Sequence, residues 1–118
     1  MHRFPALALA LVLLGLASFK AQAHAHLLEA TPADGGVLTE APSSFTLLFN
    51  EPARLTALSV QKDGEVPQKI GGLTDAASAR WVIAAPKLTP GSYTLSYRVV
   101  SEDSHIMSGS IKFRLREP

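Results

Sequence analysis

Ile111-Lys112-Phe113-Arg114-Leu115-Arg116 alternates apolar and basic side chains one for one, the signature of a half-buried β-strand. Successive side chains on a β-strand point to opposite faces, so Ile111, Phe113 and Leu115 belong to a core while Lys112, Arg114 and Arg116 meet solvent. Working back along the chain, Phe45, Leu47 and Phe49 alternate in the same way with Thr46, Leu48 and Asn50. Residues 26–30, 57–62, 66–70, 80–84 and 93–101 complete the set, about seven strands in all. Past residue 25 no segment sustains a stripe of 3.6-residue period, so the sequence is all-β. Turn residues fall between the runs: Thr31-Pro32-Ala33-Asp34-Gly35-Gly36, Lys62-Asp63-Gly64-Glu65, Ile70-Gly71-Gly72 and Thr89-Pro90-Gly91. Asp63-Gly64 suits a tight hairpin. Strands at this spacing predict a sandwich or barrel. Leu88-Thr89-Pro90-Gly91-Ser92-Tyr93 resembles the approach to a tyrosine corner, which gives Tyr93 a structural role. Trp81, inside a strand run, is expected in the core.

The chain has 118 residues and is 47% hydrophobic, and the excess is concentrated in residues 6–17, which carry no polar side chain. A bilayer-spanning helix needs about 20 apolar residues. This shorter run follows Arg3 and leads to the small-x-small site Ala21-Gln22-Ala23, so residues 1–23 read as a secretory signal peptide and residues 24–118 as one β domain. Removing those 23 residues takes Arg3 and Lys20 with them and leaves 95 residues with nine Lys/Arg against ten Asp/Glu. That balance argues against nucleic acid as a partner. Export to an oxidising compartment without a single cysteine means that the core holds the fold without disulfides.

Cleavage after Ala23 makes His24 the amino terminus, so a free amine and an imidazole sit on one residue and can chelate a metal through two nitrogens. Ala23-His24-Ala25 is a second small-x-small site, and cutting there exposes His26 instead. In Glu102-Asp103-Ser104-His105, Asp103 and His105 are two residues apart and project to one side if the chain is still extended. Together these groups offer three nitrogens and one oxygen, a set that suits tetragonal Cu(II); Zn(II) accepts the same donors but prefers a tetrahedron. The three histidines of the mature chain, His24, His26 and His105, all fall in these two short segments. Asp-x-His in a loop is also short enough to arise by chance, and a terminal histidine can be a frayed end.

The segment from His24 to Gly35, with Thr31-Pro32 a few residues after the histidine, resembles the mature start of the CopC family of periplasmic copper-binding, copper-resistance proteins. The resemblance continues in Phe49-Asn50-Glu51-Pro52, in Leu88 to Tyr93, and in Tyr97 to His105 followed by Gly109-Ser110-Ile111-Lys112-Phe113, which covers essentially the whole mature chain. It implies a Greek-key β-sandwich or barrel, immunoglobulin-like or cupredoxin-like, with a Cu(II) site formed by the terminal amine and imidazole of His24, Asp103 and His105. It also implies a periplasmic carrier or buffer in copper homeostasis, working beside a separate CopD-like inner-membrane copper transporter; nothing in the sequence suggests more than a monomer. Glu51 resembles an acidic residue near the copper of some relatives, which gives it a supporting hydrogen bond to a ligand or a plain solvated role.

Some family members carry a Met-rich Cu(I) loop, whereas Met107 is the only methionine left after processing. Thioether sulfur selects Cu(I), so a single Cu(II) site is expected and Met107 is assigned a partly buried apolar role. His24-Ala25-His26 is also a sequence that wraps Cu(II) with its amine, two amides and the His26 imidazole, at the cost of pulling the first strand from its sheet; the folded site is favoured, with His26 as a supporting or occasional ligand. Two further functions compete with the carrier: a copper monooxygenase with an amino-terminal histidine, and a secreted immunoglobulin-like domain with incidental histidines. Asp103 would fill the position an oxygen-activating metal keeps open, which favours a non-enzymatic role.

Overall fold

The computed structural model describes residues 25–118, so the expected signal segment 1–23 and His24 lie outside the described residues. The strands are β1 (Leu27–Thr31), β2 (Gly36–Leu38), β3 (Ser44–Lys62), β4 (Gln68–Lys69), β5 (Ala77–Ala84), β6 (Gly91–Ser101) and β7 (Ile106–Leu115). They hydrogen-bond in the order β1-β3-β6-β7-β2, and β4 and β5 also pair with β3. All pairings are antiparallel except that of β2 with β7, which is parallel.

The strand that organises the molecule is β3, and here the structure departs from the expectation of two separate strands over 45–50 and 57–62. They form one strand of 19 residues. Its first half pairs with β1 and β5, its second half with β6 and, near its end, β4. The register with β5 breaks between Leu48 and Ala53, where exposed Pro52 has no N–H to donate to a ladder. A second break, between Leu55 and Ala57 opposite β6, changes the parity of the buried face. Phe45, Leu47, Phe49, Ala53 and Leu55 face the core before it; Leu58 and Val60 face the core after it. A strand bent in this way serves both layers of a sandwich and forms the corner between them.

Other differences are smaller. Gly36–Leu38, where no strand was expected after the loop signal that ends at Gly36, is β2, because β7 supplies a partner from far along the sequence. The run expected over 66–70 shortens to Gln68–Lys69, while β5 begins at Ala77 rather than Arg80. Asp63-Gly64 does form a turn, with the Glu65 N–H donating to the Lys62 carbonyl at 2.9 Å and Gly64 at φ +83°. The strands it joins pair only from Val60 and Gln68 onward, so the hairpin is not a two-residue one.

Phe45, Leu47, Leu55, Leu95, Val99 and Ile111 are almost wholly buried, and each side chain of this size contributes about 1.5–3 kcal/mol on leaving water. Phe113 stacks on Tyr93 with ring centroids 5.4 Å apart, and Phe49 meets Tyr97 edge-on at 5.7 Å. Trp81 is buried as expected, with its indole N–H donating to the Ala53 carbonyl at 3.1 Å across the β3 corner. Tyr93 forms the anticipated corner: its hydroxyl donates to the Thr89 carbonyl and accepts the Thr89 N–H at 3.1 Å. Among the described residues no helix is long and apolar enough to cross a membrane.

Candidate metal centre

β6 runs into β7 through four residues outside both strands, Glu102, Asp103, Ser104 and His105. The Ser101 N–H donates to the His105 carbonyl and the Ser104 N–H to the Ser101 carbonyl, both at 2.9 Å. Ser104 takes φ +69°, the left-handed residue that three-residue hairpin loops require at this point. The chain is therefore not extended through Asp103 and His105. The convergence expected of their side chains is nevertheless present, and the turn produces it: Asp103 Oδ2 lies 2.6 Å from His105 Nδ1.

Asp103 is held from several sides. The Ser101 hydroxyl donates to Oδ1, and the His105 backbone N–H approaches the same oxygen at 3.5 Å. The Ser101 hydrogen bond is the largest cause that lowers the carboxyl from its ordinary 3.8 to about 2; partial desolvation opposes it, and the ring and backbone N–H of His105 reinforce it. The group is thus an anion at any physiological pH. An ionised carboxylate against an imidazole can share a proton with it or offer an oxygen and a nitrogen to one cation.

His26 and Glu51 belong to segments that border the stretch of β3 with which Ser101 pairs. Ala25 is 2% exposed, which ties the start of the described chain into the core. The His26 N–H donates to Asn50 Oδ1, and the Asn50 N–H returns a bond to the His26 carbonyl at 3.0 Å. Ser101 in turn pairs with Ala53 across the β3–β6 ladder. Residues 25–26, 50–53 and 101–105 therefore meet around the corner of β3. The His26 side chain is exposed and Glu51 is half-buried. Met107 packs, partly buried, against the core, as expected.

Among the described residues no three His, Cys, Asp or Glu side chains form a metal-holding group; Asp103 and His105 are a pair, and the expected third, His24, is outside those residues. A surface groove of about 800 Å³ lies elsewhere, on the outer face of the sheet among Ser59, Ser96, Arg98 and Ser108. Sequence reasoning assigned no role to Ser101, although it occupies an inward position in a row that otherwise reads Tyr93, Leu95, Tyr97 and Val99. A hydroxyl where alternation calls for an apolar group needs a partner, and that is the signal for its place beside Asp103.

Known proteins share this architecture. The family model for the CopC domain matches residues 27–116. Copper resistance protein C of Xanthomonas campestris pv. juglandis is 32% identical over 116 residues, covering 90% of this chain and 91% of its own. Among solved structures, CopC from Methylosinus trichosporium OB3b superposes with a TM-score of 0.68 at 26% identity, over 80% of this chain and 95% of its own. PcoC, a methionine-rich copper resistance protein from Escherichia coli, gives 0.53 at 26% identity, over 80% of this chain and all of its own. The curled seven-stranded sheet is the cupredoxin-like β-sandwich of these proteins, one of the two kinds expected. The chain belongs to the CopC family.

Proposed function

We propose that this protein is a periplasmic Cu(II) carrier or buffer in copper homeostasis and resistance, exported by residues 1–23 and non-enzymatic. Its single site consists of the His24 amine and imidazole, Asp103 and His105. The observation that carries the reading is the 2.6 Å approach of Asp103 Oδ2 to His105 Nδ1 at the end of the sandwich where the chain enters it. Two donors about 2 Å from one metal and at right angles to each other stand about 2.8 Å apart, close to the separation found here. Copper would replace the proton shared by the two groups, without moving the turn that carries them.

His26 is left out of the site because its backbone N–H is bonded to Asn50, and wrapping copper through the 25 and 26 amides would break that bond and lift Ala25 from the core. Glu51, half-buried beside Asn50 on β3, is assigned a supporting hydrogen bond to a ligand. A Cu(I) site of thioethers is not expected, since Met107 is committed to the core face. A CopD-like transporter, where one takes part, is a separate membrane protein, and the carrier itself is a monomer that binds no nucleic acid.

The test begins with mass spectrometry of the exported protein's amino terminus and continues with Cu(II) titration. The expected result is a terminus at His24, one equivalent bound with a tetragonal nitrogen-rich spectrum, and loss of tight binding in His105→Ala. Unchanged affinity in His105→Ala together with its loss in His26→Ala would overturn the assignment. Turnover of a polysaccharide by the copper-loaded protein in the presence of a reductant would replace the carrier with the oxygenase reading.

A further inference from the structure

We propose that Ser101 is a positioning residue for copper, which selects the carboxylate oxygen that Asp103 presents to the metal; the inference rests on the copper reading above. Ser101 is 4% exposed, and apart from the aromatic Tyr93 and Trp81 it is the one buried side chain with a polar group among the described residues. Its hydroxyl has a single hydrogen to give. Two acceptors are near, Asp103 Oδ1 and, at 3.3 Å, the His105 carbonyl. That carbonyl already receives the Ser101 N–H at 2.9 Å, and the carboxylate is the closer and charged acceptor, so the hydroxyl hydrogen goes to Oδ1.

The consequence is an asymmetric carboxylate. Oδ1 is taken by Ser101 and faces the His105 backbone N–H, whereas Oδ2 faces the His105 ring. Asp103 is thereby committed to binding through Oδ2 alone, and its rotation is fixed before metal arrives. Without the hydroxyl, the carboxylate turns among several orientations and must be ordered by the metal itself. Groups of this kind, bonded to a ligand rather than to the metal, typically change affinity by roughly 10–100-fold when removed. The backbone bonds that close the turn do not involve the Ser101 side chain, so the turn survives its truncation.

The experiment compares exported wild-type protein with Ser101→Ala, Ser101→Thr and Ser101→Val, each checked for folding by circular dichroism. Cu(II) affinity is measured by chelator competition, and the bound metal by electron paramagnetic resonance. Thr keeps the hydroxyl and Val has the same shape without it, so this pair decides the matter even if Ala perturbs packing. The expected result is one equivalent bound throughout, near-wild-type affinity and spectrum in Thr, and affinity roughly 10–100-fold weaker with an altered spectrum in Ala and Val. Unchanged affinity and spectrum in folded Ala or Val, or a Thr variant as weak as Val, would overturn the role of the hydroxyl. Failure of the wild-type protein to bind copper, or indifference to His105→Ala, instead strikes the copper reading itself.

Discussion

Asp103 shows how few atoms set the character of this end of the molecule. Its carboxyl sits at about 2 instead of 3.8 because the Ser101 hydroxyl, first of all, stabilises the anion. A carboxyl depressed on folding contributes stability that is fully present above its unfolded value and is lost as pH falls through the folded one. The turn should therefore keep its Asp103 clamp down to about pH 4 and lose it toward pH 2. A carbon-13 titration of the Asp103 carboxyl is expected to give a midpoint near the lower figure, and a midpoint near the ordinary value would contradict the hydrogen-bond network. Gly109 is another residue whose identity is dictated by a neighbour. It lies opposite Tyr97 on β7, and a Cβ there would penetrate the phenol ring, which packs against Phe49. Gly109→Ala should cost about 1–3 kcal/mol in a denaturant melt, the usual range for overpacking, with the Tyr97 ring displaced in its spectra.

Among the elements, two connections bear the geometry. The β6–β7 turn places Ser104 in the left-handed region, where a Cβ costs about 1–2 kcal/mol, while glycine gives back roughly 0.5–1 kcal/mol in chain entropy. Ser104→Gly is thus expected to stabilise by about 0.5–1 kcal/mol with the Asp103–His105 pair intact. A destabilised Ser104→Gly would mean that the serine has a bond of its own in the turn. The second connection is the tyrosine corner before β6. Tyr93→Phe keeps the stacking on Phe113 but deprives the Thr89 N–H and carbonyl of their partner, which should cost about 1–3 kcal/mol. Thermal unfolding against wild type measures it. The corner is legible in Leu88-Thr89-Pro90-Gly91-Ser92-Tyr93 because it is a local device, its acceptor only four residues away. The three-residue turn is not, since Ser-Glu-Asp-Ser-His contains no glycine to announce a left-handed residue.

For the whole molecule, the corner of β3 gathers three distant segments: the chain entrance at 25–26, residues 50–53, and the turn at 101–105. If His24 supplies the amine, a tag left ahead of it on the otherwise folded protein should weaken Cu(II) binding sharply and leave the melting temperature of the metal-free protein unchanged. Chelator competition and a thermal melt measure both, and equal affinity with and without the tag would remove the amine from the site. Falling pH should likewise release copper, as protons compete for the nitrogen donors. The closeness of Asp103 to His105 along the chain suggests their pairing, although the turn that makes it is not announced; the strand class, the buried faces of 45–49 and 111–115, and the roles of Trp81 and Tyr93 are written in the linear chain. They come from period-two alternation and from residues close together along it. Tertiary packing was needed to make 45–50 and 57–62 one bent strand, to pair Gly36–Leu38 in parallel with β7, and to bring the Trp81 indole N–H to the Ala53 carbonyl. Ladder partners and buried polar contacts depend on which distant segment arrives alongside. Alternation fixes which way a side chain points, and the neighbour it meets there is settled by packing.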